Sequence, residues 1–263
     1  MPGIDTHAHV FHRGLRLAPD RRYAPDYDAP LAAYLAELDR AGVGHGVLVQ
    51  PSFLGTDNSH LVDCLARAEG RLRGIAVLDP TTPNDKLQAL DRAGVVGVRL
   101  NLVGCSLPDL DDDVWQSFLA DVAKLGWQVE LQRCAADLPA LVSRLLDHDL
   151  SIVLDHFALP DPARGVADLG FAEVLKLGAS GRVWVKLSGA YRNGPRGRAF
   201  ACEAYPLLRD AFVERLMWGS DWPHTQFEDR ETYAANRAFL DALIVDRSER
   251  ARVLEAPHAL FRI

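Results

Sequence analysis

Short β-branched and apolar runs alternate along the chain with longer stretches whose apolar residues recur at helical spacing. The short runs lie at Gly3 to His9, Gly46 to Gln50, Leu72 to Leu78, Val95 to Leu100, Trp127 to Gln132, Ser151 to His156, Arg182 to Leu187 and Leu216 to Asp221, and each predicts a strand. Between them Leu31 to Ala41, Ser59 to Glu69, Asp113 to Leu125, Leu138 to His148, Phe171 to Leu177 and Arg230 to Leu243 are among the stretches that predict helices. Such alternation means parallel strands joined by crossovers, and eight units predict an α/β fold with a single (β/α)8 TIM-type barrel. A length of 263 residues suits one barrel, so a single domain over 1–263 is expected. The alternative, an open doubly wound sheet, wants a glycine-rich phosphate loop after the first strand. Here that strand ends in His-Ala-His-Val-Phe-His.

Composition narrows the function classes. A net charge of -7 implies no basic face for nucleic acid. No apolar run approaches the roughly 20 residues that span a bilayer, and no charged-then-apolar leader precedes Gly3, so the expected location is cytoplasmic, with no membrane partner. Cys64, Cys105, Cys134 and Cys202 form no C-x-x-C pair, which suits reduced thiols.

In a barrel the catalytic groups gather at the carboxyl ends of the strands. The first strand ends in His7 and His9, the sixth in Asp155 and His156, and the eighth in Asp221. Strand alternation puts Asp5, His7 and His9 on one side and Ile4, Thr6 and Ala8 on the other. It also turns Arg99 inward, away from Val96, Val98 and Leu100. Lys186, alternating with Trp184 and Ser188, points inward too, and a buried ammonium must be paired, so an ion pair with Asp5, Glu130 or an acid of the site is expected. The acidic run Asp109 to Asp113 is expected to cap the helix that follows. His12, His45, His60, His148 and His258 fall in helices or outer loops, where solvated histidines are the default, and receive no role.

The segments "DTHAHVF", "GVRLNLV", "DLPALV", "IVLDHF", "VWVKLSGAYR" and "LMWGSDWPH" run from near the first residue to Thr225. On these the chain resembles the amidohydrolase superfamily, in its amidohydrolase 2 branch, and within that branch the 2-pyrone-4,6-dicarboxylate lactonases and related lactonases. The resemblance implies an enzyme, a carboxylic-ester (lactone) hydrolase of aromatic-compound catabolism acting on a small-molecule substrate. It implies that His7, His9 and His156 polarise the lactone carbonyl while Asp221 takes a proton from the attacking water. It implies carboxylate binding by Arg99 and Arg192, whose planar guanidinium groups fit a carboxylate bidentately. Ser52, Asn58, Ser188, Tyr191 and His224 are further substrate-binding candidates.

One absence fits the lactonase pattern, and two positions depart from it. The fifth strand, "WQVELQR", lacks the histidine that completes metal sites in the superfamily, so no cofactor is expected. Zinc on His7, His9 and Asp221 is the rival reading, since three such ligands suffice for a catalytic site. A second arginine, six residues after Arg99, is replaced by Cys105, and a fifth-strand tyrosine contact by Glu130, Leu131 and Gln132. The expected substrate therefore has one carboxylate or more hydroxyls than the pyrone dicarboxylate. Kept open are a metal-dependent amidohydrolase or decarboxylase, a hydrolase of a neutral sugar lactone, and a silent barrel that only binds a ligand. The oligomeric state is left open.

Overall fold

The structure is a computed structural model that describes residues 3–263. Its strands and helices alternate as β1 (Ile4–Ala8), α1 (Leu31–Ala41), β2 (His45–Val49), α2 (Ser59–Arg67), β3 (Leu72–Ala76), α3 (Asn84–Arg92), β4 (Val95–Asn101), α4 (Asp113–Lys124), β5 (Gln128–Gln132), α5 (Leu138–Leu146), β6 (Ile152–Leu154), α6 (Leu169–Lys176), β7 (Val183–Leu187), α7 (Gly197–Phe212), β8 (Leu216–Trp218), α8 (Tyr233–Leu243), α9 (Arg247–Glu255) and α10 (His258–Phe261). The strands join one eight-stranded sheet in the order β1 to β8, the (β/α)8 fold. Among the described residues no helix is long and apolar enough to cross a membrane.

The chain forms two compact units, one of Met1–Arg99 with Trp218–Ile263 and one of Leu100–Met217. In the first unit β1, β2, β3 and β4 pair in parallel. The helix α1 buries Leu31, Tyr34 and Leu38, spaced to share one stripe, and stops at Gly42 with φ 65°. Gly46 lies so close to the Tyr34 hydroxyl that a Cβ there would collide with it. Beyond β1, Phe11, Ala29, Phe53 and Leu54 form a small apolar cluster that Trp222 packs against.

Alternation fails in one place on β1. Asp5 pairs with Gly46 but Ala8 pairs with Leu48, a register shift of the kind a β-bulge makes. The shift separates Asp5 from His7 and His9. Asp5 lies against the hydroxyls of Tyr34 in α1 and Tyr233 in α8, whereas the two histidines face Asp221. The expected shared side for Asp5 is therefore corrected.

In the second unit β5, β6 and β7 pair in parallel. The Asp112 carboxylate accepts the backbone N–H of Val114 at 2.8 Å and caps α4, as the acidic run predicts. The long helix α7 carries Pro206 inside it and still buries Phe200, Ala204, Leu208 and Phe212. Lys186 forms the expected buried pair, 2.7 Å from Glu130, and adds a second carboxylate, Asp155, at 3.3 Å. Of the histidines expected to be solvated, one is buried. His258 is buried with Nδ1 2.7 Å from the carbonyl oxygen of Glu255, and His45 opens β2, partly covered, with its ring edge-on to His258.

Candidate active site

The segment after β8 runs beside β1 and builds the first part of the site. His7 carbonyl oxygen accepts the N–H of Asp221 at 2.8 Å, and the N–H of His9 donates to the carbonyl of Trp222 at 2.7 Å. The Thr6 hydroxyl donates to the carbonyl of Trp218 at 2.8 Å, and the Ser220 N–H donates to the Asp5 carboxylate at 2.8 Å. These contacts hold Asp221 at a positive φ of 60° while its side chain is fully buried. A buried aspartate in the left-handed region is held there by its surroundings, an arrangement that clusters at functional sites. His224 closes the turn by donating its N–H to the Asp221 carbonyl at 2.7 Å.

Both histidines of the first strand meet that carboxylate. His7 Nε2 lies 3.9 Å and His9 Nε2 4.0 Å from Asp221 Oδ1, and the two rings stand perpendicular with centroids 5.0 Å apart. His9 Nδ1 is 2.7 Å from the carbonyl oxygen of Val49, at the end of β2. A carbonyl only accepts, so Nδ1 carries the proton, and in the neutral ring Nε2 presents its lone pair toward Asp221. Ligand atoms of His7, His9 and Asp221 all lie within 4.8 Å of one another, and all three residues are buried. Two imidazoles and a carboxylate, one imidazole held through its far nitrogen by a carbonyl, form a donor set that fits a divalent ion.

The other candidates of this unit divide by role. Arg99, near the carboxyl end of β4, is buried at 3% exposure. Ser52 opens the turn after β2 and is partly exposed, and that loop is tied down by Gln50, whose amide donates to the carbonyls of Gly55 and Asp57. Asn58 pins the same loop to β3, donating to the carbonyl of Val77 at 2.9 Å and accepting its N–H at 3.1 Å. Asn58 thus shapes the loop. Asp5 is the residue that pattern reading placed wrongly, for it fastens Ser220 next to Asp221, and burial pushes its carboxyl up to about 6.

In the second unit β6 gives way to a left-handed turn in which His156, Phe157, Ala158 and Leu159 all have positive φ, from 44° to 63°. Four non-glycine residues in that region in succession need outside support. The side-chain amide of Asn193 gives some, donating to the carbonyl of His156 at 3.2 Å. His156 Nδ1 lies 2.9 Å from the Ser188 hydroxyl, so Ser188 orients the ring. Tyr191 is buried, and the guanidinium of Arg192 sits 5.4 Å over its ring, half-buried. Sequence reading missed Asn193 and Arg133. Arg133 ties the loop after β4 to the start of α5 through Asp137 and the carbonyls of Leu102 and Cys105. Neither stands out by residue type, and only the turns they brace identify them.

A family model described as Amidohydrolase matches residues 4–263. A curated 2-pyrone-4,6-dicarboxylate hydrolase of Comamonas testosteroni is 35% identical over 239 residues, covering 86% of this chain and 78% of its own. A 4-sulfomuconolactone hydrolase of Hydrogenophaga intermedia is 30% identical over 268 residues, covering 98% of this chain and 88% of its own. A crystal structure from Acinetobacter baumannii, assigned as a 2-pyrone-4,6-dicarboxylic acid hydrolase and holding citric acid, superposes with a TM-score of 0.97 at 40% identity over the full length of both chains.

Proposed function

The chain belongs to the amidohydrolase family, and we propose that it is a lactone hydrolase that opens a small carboxylate-bearing lactone. The observation that carries the reading is the buried Asp221 carboxylate with the Nε2 atoms of His7 and His9 at 3.9 and 4.0 Å. Asp221 accepts a proton from water as the water oxygen bonds to the lactone carbonyl carbon. Negative charge then grows on the carbonyl oxygen, and the imidazoles of His7 and His156, with His9 in its protonated form, are the donors assigned to it. When the ring C–O bond breaks, the proton held by Asp221 passes to the leaving ring oxygen.

Arg99 and Arg192 are assigned to the substrate's acid group, with Ser52, Ser188, Tyr191 and His224 shaping the surround. Relatives named for a dicarboxylate and for a sulfonated lactone, and a neighbour holding citric acid, support an anionic substrate. The family model runs through both compact units, which supports one hydrolase domain over 1–263. Four free cysteines suit a cytoplasmic setting.

We favour hydrolysis without a metal, because the fifth strand holds no histidine, and its acid Glu130 is engaged by Lys186 at 2.7 Å. The lone pair that His9 presents to Asp221 favours a second reading, in which His7, His9 and Asp221 hold a divalent ion. Bound there, such an ion would polarise the carbonyl and lower the pKa of bound water. The proton-accepting role is tested by Asp221→Asn, which keeps the shape and removes the basicity. Turnover should fall by about 10² to 10⁴ with the fold intact. Near-normal turnover would move the base elsewhere, His156 being the next candidate.

A further inference from the structure

On the outer face of the first unit, α2 presents a second group of metal-binding side chains apart from His7, His9 and Asp221. His60, Asp63 and Cys64 occupy positions i, i+3 and i+4, so all three project from one face of the helix. Each offers a ligand atom, and these atoms all lie within 4.8 Å of one another. His60 Nε2 and Cys64 Sγ are 3.6 Å apart. A tetrahedral zinc with bonds of about 2.3 Å to sulfur and about 2.05 Å to nitrogen holds those two atoms about 3.5 Å apart. The pair therefore already has the spacing of two zinc ligands.

A second imidazole stands near His60. The ring of His12, in the loop after β1, meets the His60 ring edge-on with centroids 5.1 Å apart. Cys64 is buried, His60 is partly covered and Asp63 is exposed, so the cluster has a shielded sulfur and an open side through which an ion can enter.

We propose that His60, Asp63 and Cys64 form a binding site for a zinc-class divalent ion, separate from the catalytic groups.

Burial and the neighbouring His12 lower the pKa of His60, which favours the neutral ligating ring. Burial pushes the Cys64 thiol up to about 11, so the ion must displace a proton, and affinity should rise with pH. Asp63 also pairs with Arg67 at 3.3 Å, an exposed contact that holds little energy and yields to a metal.

Cobalt(II) is the probe, because a thiolate ligand gives it a near-ultraviolet charge-transfer band that the sulfur-free set of His7, His9 and Asp221 cannot produce. Chelator-treated protein titrated with cobalt(II) should develop that band with one equivalent. The band should persist in a Cys105→Ser/Cys134→Ser/Cys202→Ser triple variant and in His7→Asn, and vanish in Cys64→Ser. His60→Asn should weaken cobalt binding by at least about tenfold, the least expected when even an outer-sphere partner is lost. Absence of the band at saturating cobalt overturns the proposal, and so does a band that survives Cys64→Ser. If Cys64→Ser proves unfolded by circular dichroism, His60→Asn decides, and undiminished cobalt affinity in that variant overturns the site.

Discussion

Lys186 Nζ lies 2.7 Å from Glu130 Oε2, with both side chains wholly buried. Asp155 adds a second carboxylate at 3.3 Å from the same ammonium, on the residue that precedes His156. One cation thus holds two acids inside the second unit, at the foot of the left-handed turn that carries a proposed catalytic histidine.

Removing that cation should be costly, since it leaves both carboxylates buried without their charge partner. Breaking a buried pair from one side typically costs about 3 to 5 kcal/mol. Lys186→Met should lose that much in urea unfolding at neutral pH. Part of the loss should return as the pH falls, because buried carboxylates that have lost the ammonium then take up protons. A variant within about 1 kcal/mol of wild type would show that the ammonium is not the counter-charge.

Acid stability should follow a different set of carboxylates. Asp79 accepts the N–H and hydroxyl of Thr81 at 2.8 and 2.5 Å, Asp137 is held by Arg133, and Asp57 and Asp246 accept from the turns after them. These contacts lower all four below the usual 3.8. A depressed folded-state pKa adds stability that is fully present above the unfolded value and is lost as pH falls through the folded value. Asp79→Ala should therefore lower the Tm at neutral pH, with the difference shrinking below about pH 3.5. A difference that stays constant into acid would assign the loss to packing.

The metal question is decided by removal. On the metal-free reading, exhaustive chelation leaves lactone hydrolysis unchanged. One equivalent at His7, His9 and Asp221 whose removal abolishes turnover would establish the second reading. Because a zinc-class ion on His60 and Cys64 is also expected, Cys64→Ser protein is the better material, as loss of activity on chelation then reports the catalytic groups alone.

Much of this was legible in the residues. Alternation along β7 placed Lys186 inside because that strand pairs without irregularity, and the acidic run before α4 read as a cap because Asp112 sits directly ahead of the helix. The same alternation misplaced Asp5, because a bulge leaves no mark in a run of ordinary residues. The left-handed turn at His156 was not legible either, since its four residues include no glycine or asparagine to announce a positive φ. His258 was read as solvated from its place in a helix or outer loop, although α10 packs it away from water.

Recognition of an anionic lactone by Arg99 and Arg192 is tested most directly by kcat/KM on a matched pair of lactones, one with and one without a carboxylate. Wild type should prefer the carboxylated member. Arg99→Met and Arg192→Met should each cost that substrate about 2 to 5 kcal/mol, a loss of about 30-fold or more, and leave the neutral lactone nearly unaffected. A wild-type preference for the neutral lactone, or equal losses on both substrates, would contradict the account and make a neutral sugar lactone the better reading.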